Sequence, residues 1–131
     1  MSKKVVLVGH CGPDSSYLRM AVGRAAKSIS VLSADDQDEL KAVLDDSPDL
    51  LLLNRELPYG FDETLGVDVI KSLRMKYPNV PMMLVSNYPD AQADAVKAGA
   101  LPGFGKREIG SPRVAQVILE ALGVSFNASN T

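Results

Sequence analysis

The chain has 131 residues, of which 46% are apolar, enough to form one domain around a single hydrophobic core. Its formal charge of -2, from 14 basic and 16 acidic residues, argues against direct binding to nucleic acid or to an anionic membrane surface. A single cysteine excludes an internal disulfide framework. No apolar stretch is long enough to span a membrane or has the character of a signal peptide, so we expect a cytoplasmic location.

Hydrophobic periodicity predicts alternating strands and helices from the N-terminus. A strand over residues 4–8 precedes a helix with apolar side chains at helical spacing, and a short strand near residues 29–32 follows. Asp36 and Glu39 have the spacing of a capping box, with Asp in the usual Ser or Thr position, and predict the start of a second helix. Residues 50–53 form an unbroken leucine run, which suits a strand buried on both faces.

The second half of the chain continues this alternation. A loop over residues 55–66 leads into a third helix, residues 80–86 favour a strand, and a short fourth helix is closed by Gly99 at its C′ position. After a fifth strand around residues 101–105, Ser111 and Pro112 have the types expected at N-cap and N1 of a last helix. The predicted inner face of that helix consists of Val114, Val117, Ile118, Ala121 and Leu122.

Five strands that alternate with five helices require a parallel sheet with right-handed crossovers. We therefore predict an α/β fold of the doubly wound, flavodoxin-like type, with strand order 2-1-3-4-5 and helices on both faces. Residues 1–123 are expected to form one domain and residues 124–131 a frayed polar tail. Ligands bind such sheets at the carboxyl ends of the strands, beside the switch point between the first and third strands.

The stretch DLLLLNRELP, residues 49–58, resembles part of the receiver domains of two-component response regulators. In that family an aspartate at the end of the third strand accepts a phosphoryl group, and a proline follows four residues later; Asn54 and Pro58 occupy these positions here. Ser86 matches the Ser or Thr that closes the fourth strand, and Lys106 matches a lysine that follows the fifth strand. The resemblance extends over essentially the whole chain.

Several features of the family are missing. Gly9 and His10 stand where receiver domains carry the adjacent acidic residues that hold a divalent metal. Gly103 occupies the position of the switch aromatic, and Arg107 replaces the proline that usually follows the lysine. The loop after Pro58 is also longer than is common in the family. The resemblance therefore implies a receiver fold with an altered phosphorylation site.

Phosphorylation of a receiver domain requires an anionic nucleophile and a metal that neutralises the developing charge. The Asn54 amide is neutral and supplies neither. Mg²⁺ prefers anionic oxygen ligands, so Gly9, His10 and Asn54 make a poor site, with Asp14 and Glu56 the nearest carboxylates in sequence. We expect no phosphorylation, no bound metal or other cofactor, and no enzymatic activity.

The residues at the altered site each have more than one interpretation. Lys106 either pairs with Asn54, Glu56 or Asp14, or is simply solvated. Ser86 either bonds Asn54 across the sheet or only forms a turn. His10, the single histidine, lies where an imidazole can titrate near neutral pH, but with the adjacent cysteine it makes an incomplete metal-ligand set.

Two alternative functions involve the same region. The strand, cysteine loop and helix around Cys11 also resemble the B domains of the phosphotransferase system, in which a cysteine carries phosphate, although Pro13 removes one amide donor from the loop. A pocket that binds a small ligand in place of phosphate is the other alternative. Its lining would be Gly9, His10, Asn54, Ser86 and Lys106.

The function that we prefer from the sequence is a stand-alone, phosphorylation-incompetent receiver-like module for protein interaction in bacterial-type signal transduction. The resemblance implies that its partner is another signalling protein or a second copy of the chain. In the family, such partners bind the surface of the fourth helix, fifth strand and fifth helix. In this chain, that surface corresponds to residues 90–99, 101–106 and 112–122.

Overall fold

The computed structural model describes residues 3–123, in which five β-strands alternate with five α-helices. The strands are β1 (Lys4–Val8), β2 (Ser30–Ala34), β3 (Leu50–Asn54), β4 (Met82–Val85) and β5 (Leu101–Phe104). The helices are α1 (Gly12–Ala25), α2 (Gln37–Asp45), α3 (Gly66–Lys76), α4 (Pro89–Lys97) and α5 (Pro112–Ala121), and a single 3₁₀ turn (Lys106–Glu108) follows β5. The predicted tail, residues 124–131, lies outside the described residues.

The five strands form one parallel sheet in the order β2-β1-β3-β4-β5, which confirms the predicted fold class and strand order. The leucine run of β3 shows why both faces are covered. Leu51 and Leu53 belong to an apolar cluster with α2, α3 and α4, whereas Leu50 and Leu52 belong to a second cluster with α1 and α5. None of the helices within residues 3–123 combines the length and hydrophobicity needed to cross a bilayer.

The start of α2 follows the predicted capping pattern with one adjustment. The Asp36 carboxylate accepts a hydrogen bond from the Glu39 backbone N–H at 2.8 Å. The Glu39 carboxylate reaches back to the N–H of Asp35, one residue before the cap, at 2.8 Å. β2 ends at Ala34, two residues later than predicted, because its pairing with β1 continues up to Val8.

The end of α4 is the Schellman motif that Gly99 predicts. Gly99 has φ of 112°, its N–H donates to the Val96 carbonyl, and the N–H of Ala100 donates to the Ala95 carbonyl. At the start of α5, Ser111 is the N-cap and a proline occupies the first turn, as expected, but the Ser111 side chain makes no capping hydrogen bond. Leu119, which the predicted inner face of α5 omitted, is buried.

The two edge strands of the sheet differ: β5 is irregular, and β2 is regular with a side chain bonded to its open side. In β5, Pro102 and Gly103 together face the single residue Leu84 of β4, so the strand contains a bulge, and Pro102 has no N–H. In β2, the backbone N–H of Ser30 bonds β1, so the Val31 carbonyl points to the open side of the strand. Arg19 of α1 donates a hydrogen bond to that carbonyl at 3.1 Å.

Candidate functional site

The carboxyl ends of β3 and β4 and the start of the 3₁₀ turn border a polar cavity of about 450 Å³. Three of the five site residues predicted from the sequence line it together: Asn54, Ser86 and Lys106. Their strands are neighbours in a parallel sheet, so residues at the strand ends meet at the same edge. The other lining residues are Arg55, Glu56, Asn87 and Tyr88.

The Asn54 amide is tied to the surrounding backbone. Its Nδ2 donates to the carbonyl oxygen of Gly9 at 3.1 Å and to that of Glu56 at 2.9 Å, while its Oδ1 accepts from the N–H of Arg55 at 3.0 Å. The two amide hydrogens both meet carbonyl oxygens, which an aspartate would repel. Asn54 thus links the loop after β1 to the loop after β3.

Gly9 contributes its backbone to this arrangement, in a conformation and a setting that favour glycine. Its φ of 70° lies in the left-handed region, and a Cβ atom here would lie 2.5 Å from Cδ2 of Leu57 and 3.2 Å from Cδ of Pro58. The loop after β3 therefore closes directly over the backbone of Gly9. An acidic residue at this position would adopt a strained backbone conformation and would displace the Leu57 side chain.

His10 does not line the cavity with the other predicted residues, because its imidazole is buried, with 7% of the residue exposed. Nε2 lies 2.8 Å from the carbonyl oxygen of Leu52; since a carbonyl only accepts, Nε2 carries the proton. Nδ1 is buried and has no hydrogen-bond partner among the described residues. Burial lowers the pKa of His10, and the nearby Lys106 ammonium lowers it further.

Lys106 pairs with Asp14, one of the three partners that the sequence left open. Its Nζ lies 3.0 Å from Asp14 Oδ2, and both side chains are partly exposed. Burial alone would raise the pKa of Asp14, but hydrogen bonds from Lys106 and from the Cys11 thiol outweigh burial and hold that pKa below its usual value. Cys11 is exposed at the N-cap of α1, next to this carboxylate.

Ser86 and Asn87 organise the turn after β4. The Ser86 hydroxyl accepts a hydrogen bond from the N–H of Tyr88 at 3.1 Å, which is the turn-forming role rather than a bond to Asn54. The Asn87 side-chain oxygen accepts from the N–H of Arg107 at 3.0 Å and so ties this turn to the start of the 3₁₀ segment. Ser86 and Lys106 therefore share the cavity with Asn54 without bonding it.

Gln92 of α4 is a site residue that the sequence analysis missed. Its Nε2 lies 2.8 Å from the carbonyl oxygen of Leu84, 3.1 Å from that of Ser86 and 3.3 Å from that of Phe104, so three acceptors share its two hydrogens. Its Oε1 accepts from the N–H of Gly103 at 3.2 Å. A Cβ at position 103 would collide with the Leu84 carbonyl oxygen and with this amide. The glycine at this position was the available signal, because it permits the close approach of the Leu84 carbonyl and the Gln92 amide.

The residues at this edge do not fit the divalent metal that a receiver fold implies. Gly9 has no side chain, the His10 ring bonds the sheet backbone, and the Asp14 carboxylate is paired with Lys106. The Asn54 oxygen already accepts a hydrogen bond from the backbone. Across residues 3–123, no three or more His, Cys, Asp or Glu side chains group in a way that would hold a metal ion.

Comparison with known proteins identifies the fold. No protein-family model matches the chain, and no curated protein matches it in sequence. The solved structure of NtrX from Brucella abortus has a TM-score of 0.75 at 18% identity, covering 94% of this chain and 28% of NtrX. The non-phosphorylated receiver domain of the stress response regulator RcsB from Escherichia coli has a TM-score of 0.74 at 14% identity, covering 95% of this chain and 97% of that domain.

A third similar structure is a response regulator protein from Burkholderia pseudomallei that contains a phosphorylated aspartic acid and a calcium ion. Its TM-score is 0.66 at 21% identity, and the match covers 98% of this chain and 69% of that protein. The chain thus has the fold of response-regulator receiver domains, as its sequence predicts. At these identities the similarity establishes the fold and leaves activity and partners to the site itself.

Proposed function

We propose that the chain is a receiver-like module of bacterial-type signal transduction that binds another protein, accepts no phosphoryl group at position 54 and is not an enzyme. The observation that carries the proposal is the Asn54 amide, which occupies the position of the phosphoacceptor and donates both its hydrogens to backbone carbonyls. A side chain used in this way is a fixed structural link. It presents no nucleophile to the cavity.

The surroundings of Asn54 support this proposal. Phosphoryl transfer to a carboxylate relies on a metal to neutralise charge on the equatorial oxygens. Gly9 has no side chain and a left-handed backbone with the side chains of Leu57 and Pro58 lying over it, so this position supplies no carboxylate to a metal. Two positively charged residues line the cavity, Lys106 and Arg55, and each is already paired with a carboxylate, Asp14 and Glu56 respectively.

The hydrogen bonds of Gln92 affect whether such a module can switch between conformations. In the family that the sequence resembles, an aromatic side chain at the position of Gly103 takes part in switching. Here the Leu84 carbonyl and the Gln92 amide lie close to Gly103, and Gln92 joins β4, the following turn and β5 through hydrogen bonds. We therefore propose that the surface of α4 and β5 is held in one arrangement, and that partner binding does not wait for a phosphorylation signal.

Two exposed apolar side chains support partner binding on this surface. Val96 of α4 and Leu101 of β5 are both more than one-third exposed and lie on elements that pack against each other. Exposed apolar side chains on adjoining elements supply apolar area that an interface can bury. The surface of α4, β5 and α5 that the resemblance implies is therefore the proposed site for the partner protein.

The alternative that uses Cys11 is less favoured by the geometry. The thiol is exposed at the N-terminus of α1, where backbone N–H groups attract anions. However, the Asp14 carboxylate lies beside the thiol and would repel a phosphoryl group bound there. Pro13 also removes one donor from the first turn.

Phosphoryl acceptance is tested by incubating the protein with acetyl phosphate and Mg²⁺ and measuring the intact mass. We expect no adduct with the wild-type protein or with the Cys11→Ser variant. An adduct that maps to residues 50–58 would overturn the proposal. An adduct that is present in the wild type and lost in Cys11→Ser would favour the phosphocarrier instead.

Partner binding is tested with an affinity-tagged chain in an extract of the source cells, with quantitative mass spectrometry of the captured proteins. The variant Val96→Asp with Leu101→Asp should lose at least one protein that the wild type captures. Leu32→Asp, which changes an equally exposed leucine on the opposite edge of the sheet, is the matched control. If the double variant captures the same proteins as the control, the α4–β5 surface is not the docking site.

A further inference from the structure

A groove of about 840 Å³ runs between α3 and α4. Both helices follow strands of a parallel sheet, so both begin at the carboxyl edge and run in the same direction along the groove. The groove is distinct from the polar cavity of Asn54, with Arg55 and Tyr88 standing between the two. No part of the function proposed above uses it.

The groove has an apolar recess at one end and an apolar projection at the other. Leu65, Val67, Ala91 and the ring of Tyr88 line the end where the helices begin. Met75, near the end of α3, lines the opposite end and is 88% exposed. A flexible thioether that projects to this extent is a suitable side chain for filling an apolar recess.

The charged side chains along the groove also differ between its two ends. Asp68 and Asp90 lie in the first turns of α3 and α4, whereas Arg74 and Lys97 lie in their last turns. Neither Asp68, Asp90 nor Lys97 forms an ion pair within the part of the chain that the structure describes. The recess end is therefore acidic and the Met75 end is basic.

One positively charged residue, Arg55, lies at the acidic end of the groove, and its charge is compensated by Glu56. Arg55 pairs with Glu56 at 2.7 Å, and its guanidinium lies 4.5 Å from the centroid of the Tyr88 ring. Lys71 and Asp94 have opposite signs and lie between the two ends. The opposite charges at the two ends are thus the dominant electrostatic feature of the groove.

We propose that a second copy of this chain docks on the α3–α4 groove about a two-fold axis that crosses both helices. That operation reverses the direction of the helices, so the acidic end of one copy faces the basic end of the other, and each Met75 enters the recess of its partner. A two-fold interface uses the same patch twice and must be complementary to itself when reversed. The charge polarity and the projection-and-recess shape both meet this condition.

This interface differs from the surface proposed above for the partner protein, and the two inferences are independent. The groove uses Asp90, Asp94 and Lys97 of α4, whereas Val96 on the same helix is not among the residues that line it. Docking in the groove leaves Val96 and Leu101 exposed. A dimer formed in this way would carry two copies of the proposed partner-binding surface.

The test is sedimentation equilibrium of the purified chain over a range of concentrations. We expect a reversible dimer whose Kd rises at least about tenfold in Asp90→Lys and in Lys97→Asp, because each change places like charges opposite one another. The double variant Asp90→Lys with Lys97→Asp exchanges the two signs and should recover a Kd close to that of the wild type. Asp45→Lys and Lys41→Asp, both exposed on α2 outside the groove, should leave the Kd unchanged.

Met75→Glu gives a second measurement that does not depend on the charge exchange. The side chain is exposed, so the thermal melt should be that of the wild type, while the dimer should weaken because a carboxylate meets the acidic recess. A chain that stays monomeric at every concentration would overturn the proposal. So would a double charge variant that dimerises no better than the single variants, or a Met75→Glu variant with an unchanged Kd.

Discussion

His10 is a titratable residue in a buried environment that disfavours its protonated form. Its ring is buried, Nε2 donates to the Leu52 carbonyl, and Nδ1 has no partner among the described residues. Three charged groups act on it: Lys106 opposes its protonation, whereas Asp14 and Asp35 favour it. Burial is the largest influence, so the folded protein holds this histidine in its neutral form at a pH where the unfolded chain takes up a proton.

The lowered pKa of His10 predicts that the protein loses stability as the pH falls below 6.5, the usual histidine value. In that range the unfolded chain binds a proton that the folded protein does not, so the free energy of unfolding falls by up to about 1.4 kcal/mol per pH unit. His10→Gln, which keeps a donor for the Leu52 carbonyl, should remove this slope. Urea denaturation at several pH values measures it, and because the chain has one histidine, an unchanged slope in the variant would contradict the prediction.

The Asp14–Lys106 pair predicts a smaller effect at lower pH. The folded pKa of Asp14 is lowered, so the stabilisation is present above its unfolded value of 3.8 and is lost as the pH falls through the folded pKa. Both side chains are partly exposed, so the coupling free energy should be about 0.2–1 kcal/mol near neutral pH. A double-mutant cycle with Asp14→Asn and Lys106→Met measures it. A coupling that persists below the folded pKa would show that the contact is not ionic.

At the scale of elements, the cross-link from α4 to β4 and β5 has the clearest consequence. Gln92 bonds carbonyls on both strands and accepts from the bulged residue Gly103. The bulge in β5 leaves its backbone groups out of the regular ladder, and the Gln92 amide supplies the missing partners. A side chain of α4 thus fixes the position of the strand beside it.

Gln92→Ala should lower the free energy of unfolding by about 1–3 kcal/mol, because it leaves partly buried backbone groups without partners. Hydrogen exchange should also become faster for the amide of Gly103 while that of β2 is unchanged. Gln116→Ala is the matched control, since Gln116 makes one exposed side-chain contact with Glu120 on α5. Equal effects of the two substitutions would mean that the network does not hold β5.

At the scale of the whole molecule, the altered site combines three segments: the loop after β1, the end of β3 and the 3₁₀ turn. A substitution in one of these segments should not restore a metal site that also depends on the others. Asn54→Asp would place a carboxylate against the carbonyl oxygens of Gly9 and Glu56, so we expect a loss of about 1–3 kcal/mol in unfolding free energy. Mg²⁺ should not recover it, because Gly9 and the buried His10 still supply no carboxylate ligand.

The melting temperature with and without Mg²⁺ tests this expectation. Asn87→Asp is the matched control, because it adds the same charge to the same cavity and keeps the oxygen that accepts from Arg107. If Mg²⁺ raises the melting temperature of Asn54→Asp more than that of the control, metal ligands remain in the site. In that case our account of Gly9 is incorrect.

The fold followed from features that are local in the sequence. The leucine run at residues 50–53 fixes a strand buried on both faces, Gly99 ends α4, and the alternation of strands and helices then allows few topologies. The convergence of Asn54, Ser86 and Lys106 at one cavity follows from the same topology, because parallel strands end at one edge.

What the sequence did not reveal depends on contacts between distant residues. The burial of His10 arises because the ring folds back onto the Leu52 carbonyl, 42 positions away. The role of Gln92 requires the bulge in β5, which the hydrophobic periodicity of the sequence does not predict. The partner of Lys106 was one of three carboxylate or amide groups, and only the relative position of α1 and the 3₁₀ turn selects Asp14.

The two edge strands of the sheet affect how this molecule can associate through its backbone. An open edge strand is a template on which another chain can add a strand, and uncontrolled addition of this kind leads to aggregation. On β5, Pro102 offers no N–H and the bulge breaks the repeat of donors and acceptors; on β2, Arg19 occupies an outward carbonyl. Neither edge presents an uninterrupted row of backbone groups. Addition of a strand from another chain is thereby disfavoured at either edge.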